Sequence, residues 1–229
     1  MQPDKINDRN LKLVFKDKKA IIFDFDGTIA DSLHLHEMAF RSCLSGYSLD
    51  FDYKDLSGLS TMEAIRRILK SNKFPIVEEE FLNLVKQKQT YASEYYKDSL
   101  SFIPGALSLI QILYKNDFDL YIGSSGSRKN VTIGLNTLGI TKYFKKVVTS
   151  DDVSQSKPHP EIFQTILDAC LIEPRKVLVI EDSESGIQAA IRAGIDVVCI
   201  NTDLGLPLSD NVPVLSFESL IHQLQLEFF

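Results

Sequence analysis

The sequence lacks a positive charge excess, a long apolar run near its start and closely paired cysteines, and each shortage removes a class of function. Lys and Arg number 25 against 31 Asp and Glu, giving a formal net charge of -6. Nucleic acid and anionic membranes select basic faces, so neither is expected as a partner, and an anionic ligand would need a few well-placed cations or a metal. Cys43, Cys170 and Cys199 lie too far apart for a zinc-site spacing or a disulfide framework, and read as buried reduced thiols. The first twenty residues are mostly polar and charged, without the apolar stretch of a signal peptide or membrane span, which makes the cytoplasm the expected location. Residues 1–19 read as a tail, in which Leu11, Leu13, Val14 and Phe15 either form a short edge strand or pack onto the core. Internal repeats and low-complexity segments are also missing.

What the chain does contain is a series of short runs rich in β-branched and aromatic residues: Ala20–Phe25, Leu120–Gly123, Lys146–Thr149, Val177–Ile180 and Val197–Ile200. They predict fully buried strands. Amphipathic stretches lie between the later ones, with apolar residues at helical spacing at Ala106, Leu109, Ile110 and Leu113 and again at Ile162, Phe163, Ile166 and Leu167. Such alternation predicts an α/β fold, a Rossmann-like parallel sheet with helices on both faces. Residues 33–99 break the rhythm: they carry helical patterning and no convincing strand, with helices expected at about 35–45, 62–70 and 78–97. The chain is therefore expected to fold as a discontinuous core (20–32 and 100–229) with an inserted α-helical cap (33–99). The linkers at Ser32-Leu33 and Ser99–Phe102 would together form its hinge.

Open α/β sheets bind ligands beyond the carboxyl ends of their strands. The first expected strand ends in Asp24-Phe25-Asp26-Gly27-Thr28, the second in Ser124-Ser125-Gly126-Ser127 and the fourth in Glu181-Asp182-Ser183, while Ser156-Lys157-Pro158 precedes a helix. Gly27 tightens the turn so that Asp24 and Asp26 can reach one ligand. Such a pair suits phosphoryl transfer: Asp24 as nucleophile forming an aspartyl-phosphate, Asp26 protonating the leaving oxygen and then activating water. An anionic nucleophile approaching an anionic phosphate needs countercharge, which Mg²⁺ held by Asp24, the Asp26 carbonyl and Asp182 would supply; Glu181 is either a further ligand or an organiser of the metal's waters. Lys157 is expected to offset charge in the transition state, and Ser125 with Gly126 to hold phosphate oxygens, Ser124 being the rival hydroxyl.

These motifs, Asp24 through Ser32, then Ser125, Lys157-Pro158, and Glu181-Asp182-Ser183 with Gly186, resemble the haloacid dehalogenase superfamily in the branch whose helical cap follows the first motif. The resemblance implies a Mg²⁺-dependent phosphohydrolase whose cap closes over a small phosphorylated metabolite. Asp26 favours phosphate over dehalogenase chemistry, and the nearest likeness is to β-phosphoglucomutase-like proteins and sugar phosphatases. His36 matches a hinge-side histidine of the mutases. The substrate loop of those enzymes corresponds to Ser57-Gly58-Leu59-Ser60-Thr61, where Ser57 and Thr61 replace the mutases' basic residues. The expectation is accordingly a phosphatase, with a phosphosugar mutase as the alternative and His36, Gly58 and Thr61 as cap-side site residues.

Overall fold

The computed structural model describes residues 14–56, 58–200 and 212–228. Five strands form one parallel sheet: β1 (Ala20–Phe23), β2 (Asp119–Gly123), β3 (Lys146–Val148), β4 (Val177–Glu181) and β5 (Asp196–Cys199), ordered β3-β2-β1-β4-β5. The strand expectations hold to within two residues at either end.

Strand alternation sorts the side chains into two layers. Ile21, Phe23, Leu120, Ile122, Leu178 and Ile180 face one apolar layer, and Ala20, Ile22, Tyr121, Val177, Val179 and Val197 face the other. Helices α4 (Ala106–Lys115), α5 (Arg128–Thr137) and α8 (Phe217–Phe228) lie on the first side, with α6 (Glu161–Cys170) and α7 (Glu184–Arg192) on the second. Phe15 packs into the first layer, its ring 6.3 Å from that of Phe118, so the end of the expected tail joins the core; Leu11 and Leu13 lie outside the described residues.

Between β1 and α4 come α1 (Leu33–Cys43), α2 (Thr61–Ser71) and α3 (Glu78–Ser99), which close around their own apolar cluster of Phe40, Ile65, Ile68, Phe81 and Leu84. The two connections to this helical unit run side by side. Asp31 N–H donates to Ser101 O at 2.9 Å, and Ala30 bridges Phe102 in antiparallel fashion. Ser60 starts α2 through a reciprocal capping box with Glu63.

Candidate active site

Register brings the chemistry to one edge. Phe23 pairs with Ile180, so Asp24 leaves β1 level with Glu181 at the end of β4, and Asp24 N–H donates to Ile180 O at 3.0 Å. Beneath this edge lies Lys157, 1% exposed, whose Nζ donates at 2.6 Å both to Asp24 Oδ1 and to Glu181 Oε1. Burial opposes its charge, but the two carboxylates outweigh burial and raise its pKa, so the ammonium is fixed. The other Glu181 oxygen accepts from the Asp182 and Ser183 N–H groups and from Ser183 Oγ. Glu181 thus has donors at both oxygens, and its carboxylate organises Lys157 and the loop after β4.

Asp182 is placed differently. Its Oδ1 accepts from Thr28 Oγ1 at 2.9 Å, while its buried Oδ2 has no partner among the described residues. Burial, then the Glu181 charge, pushes its pKa up to about 8, and burial likewise raises that of Asp24 well above the ordinary carboxylate range. Ligand oxygens of Asp24, Glu181 and Asp182 lie within 4.8 Å of one another. Crowded buried carboxylates with an orphaned oxygen are what a hard divalent cation would satisfy, so the donor set fits a metal.

Asp24, Asp26, His36, Gly58, Thr61, Ser125 and Gly126 all line one pocket of about 50 Å³. Ser124 Oγ is turned into its own loop, accepting from Gly126 N–H at 2.9 Å, whereas buried Ser125 Oγ has no partner among the described residues. Of the two rival hydroxyls, Ser125 is therefore the one open to a ligand. Gly58 adopts φ +76°, and its carbonyl accepts from Ser185 Oγ at 3.1 Å. A Cβ at Gly58 would press on Ser183 and Ser185, so the loop after the short 3₁₀ turn Tyr53–Leu56 needs glycine to seat on the α7 start. Ser57 lies outside the described residues.

Two functional candidates were missed in the sequence. Asp26 Oδ1 accepts from Ser32 Oγ at 2.7 Å, from Tyr96 OH, and lies 3.1 Å from His36 Nε2. Behind the imidazole, Lys88 Nζ sits 2.6 Å from His36 Nδ1 and 4.5 Å from the Phe40 ring centre. Lys88 is 3% exposed, and burial depresses its pKa to about 8. Burial also lowers that of His36, the neighbouring Lys88 charge adding to it. Burial alone would raise the Asp26 pKa, but His36, Tyr96 and Ser32 together lower it to about 2. A signal for Lys88 was available: it occupies a core position in the α3 stripe Phe81, Leu84, Val85, Ala92, Tyr96, where a lysine is out of place.

Residues 21–200 match the haloacid dehalogenase-like hydrolase family. A phosphorylated carbohydrates phosphatase from Thermotoga maritima is 29% identical over 182 residues, covering 78% of this chain and 82% of the relative. A β-phosphoglucomutase from Bacillus subtilis is 31% identical over 189 residues, covering 77% and 80%. In fold, the crystal structure of CbbY from Rhodobacter sphaeroides in complex with phosphate superimposes with a TM-score of 0.81 at 23% identity, over 91% of this chain and 99% of that one.

Proposed function

The chain belongs to the haloacid dehalogenase-like hydrolases, and from that premise we propose that it hydrolyses a small organic phosphate monoester, of the sugar phosphate class, through an aspartyl-phosphate on Asp24. The observation that carries this reading is that Asp24, Asp26 and the unpartnered hydroxyl of Ser125 line a single pocket. Residues 33–99 act as the cap, over a core of 20–32 and 100–229.

Asp24, Asp182 and the main-chain carbonyl of Asp26 would hold Mg²⁺, which neutralises the phosphate that an anionic nucleophile must approach. Asp24 attacks phosphorus, the bond to the leaving oxygen breaks, and that oxygen takes a proton from Asp26. Water then attacks phosphorus and gives its proton to Asp26, the bond from Asp24 to phosphorus breaks, and inorganic phosphate leaves with the Asp24 carboxylate restored. Ser125 Oγ and the Gly126 region hold the phosphoryl oxygens, and Lys157 balances the charge of Asp24 against Glu181.

Held near pKa 2, Asp26 is a carboxylate at neutral pH, ready as base but short of the proton it must donate as acid. Lys88 Nζ donates to His36 Nδ1, which leaves Nε2 as the protonated ring nitrogen beside Asp26. The relay Lys88 to His36 to Asp26 can therefore reload the acid. His36 comes from α1, and Lys88 and Tyr96 from α3, so the relay is assembled only when the cap sits on the core.

The mutase alternative needs a cation on the cap loop to grip a second phosphate; the loop offers the Thr61 hydroxyl there, and the lysine that lines the pocket, Lys88, is turned onto His36 Nδ1 at 2.6 Å. The test is release of inorganic phosphate from a panel of sugar phosphates with Mg²⁺, beside Asp24→Asn. Turnover that vanishes in Asp24→Asn supports the reading; full activity in that variant, or isomerised product under catalytic sugar bisphosphate, would overturn it.

A further inference from the structure

The catalytic pocket, at about 50 Å³, has room for a phosphoryl group and little more, so the rest of the substrate must lie elsewhere. A second cleft of about 560 Å³ adjoins it. Thr61 lines both spaces, and Gly126 of the small pocket is followed directly by Ser127 of the large one. Its size falls in the range of roughly 300–1,000 Å³ typical of small-molecule sites. One wall is the cap, from α2 and α3; the other is the core, from the loop before Lys157 and from α7.

Its charges are already engaged. Glu63 accepts from Ser60 within the capping box, and Asp151 accepts from Arg128 N–H at 2.9 Å. Arg66 pairs with Glu78 at 3.3 Å and lies 4.1 Å over the Phe81 ring, and Arg192 donates to Pro158 O at 2.8 Å. Two carboxylates thus offset two guanidinium groups, and His159, which also lines the cleft, has Nδ1 3.8 Å from the Glu161 carboxylate, so the lining carries no net excess of positive charge for a second phosphate. Beside these groups the lining is uncharged and polar: the side chains of Thr61, Gln89, Ser154, Gln155 and Ser156. Hydroxyl and amide groups in this number match a partner that both donates and accepts.

Resting on the phosphatase reading above, we infer that this cleft binds the leaving group, and that the leaving group is a neutral polyhydroxylated moiety of disaccharide size. Binding energy gained there, away from the reacting phosphorus, is realised as faster turnover of the larger ester.

The experiment compares kcat/KM for a glucose phosphate with that for a trehalose phosphate bearing its phosphate on the same primary hydroxyl, with Mg²⁺ present. The expected ratio favours the disaccharide by about tenfold or more. Ser154→Trp on the core wall and Met62→Trp on the cap wall fill the cleft from opposite exposed sides, and each should bring the ratio down toward one. Phosphate release from both esters with a ratio near one in the unaltered protein overturns this inference and leaves the phosphatase reading standing. A preference for a glucose bisphosphate over both overturns the neutral leaving group. Release from none of them overturns the phosphatase reading and the inference with it.

Discussion

At the scale of single residues, the site depends on buried charges that each need a partner. Lys88 is the least well served, since its ammonium meets an imidazole nitrogen and an aromatic face among the described residues. As pH rises through about 8 it loses its proton, and His36 loses the cation and the acidic proton at Nδ1. The kcat profile should therefore fall on the alkaline side near that pH. Lys88→Met should lower kcat by about 10²-fold, the low end for a proton-transfer group, and abolish that limb; a limb of unchanged position in the variant would remove Lys88 from the relay. Gly186 makes the opposite demand, for empty space. A Cβ there would overlap the Glu181 carboxylate, and that carboxylate is pinned by Lys157, Ser183 and two N–H groups. Gly186→Ala should cost about 1–3 kcal/mol, seen as a lower midpoint in urea, with Lys157 displaced from Asp24 and kcat reduced alongside.

At the scale of elements, the cap is tied to the core by a few polar contacts. Ser93 of α3 donates to Asn130 Oδ1 of α5 at 2.5 Å, both residues being buried. Ser93→Ala leaves that oxygen without its donor and should destabilise by about 1–3 kcal/mol, a thermal shift of roughly 2–4 °C per kcal/mol in a chain of this size. Strands and helices were legible in the sequence because each follows its own period: Ile21 and Phe23 against Ala20 and Ile22 in β1, or Ile162, Phe163 and Ile166 in α6. The strand-end residues Asp24, Asp26, Ser125 and Asp182 were legible for the same reason, since a parallel sheet carries strand ends to one edge, and Lys157 from its place just ahead of α6. The roles of Tyr96 and Lys88 were not, even though Lys88 stands out in the apolar stripe of α3, because they depend on how α3 rotates against α1 and on how the helical unit meets the sheet edge. Pattern along the chain fixes which face of a helix is apolar; it does not say that a polar group on that face will meet Asp26.

At the scale of the whole molecule, the metal site links stability to pH. Asp182 has a folded pKa of about 8 against an ordinary value of 3.8, and Asp24 is raised as well. Between these limits the two carboxyls bind more protons in the folded, metal-free protein than in the unfolded chain, so their contribution to stability declines as pH rises from about 4 to 8. A divalent cation reverses this, because it binds the deprotonated carboxylates and must displace their protons. Mg²⁺ affinity should accordingly climb with pH up to about 8 and level off above it. At a concentration of about a hundred times its dissociation constant, Mg²⁺ should stabilise the fold by about 2.7 kcal/mol. Thermal melts across pH 5 to 9, with Mg²⁺ and with chelator, measure both curves. The expected pattern is a gap that widens toward pH 8; a gap of constant width, or none, would show that Asp24 and Asp182 do not share a cation and that their raised proton affinity serves the metal-free fold alone.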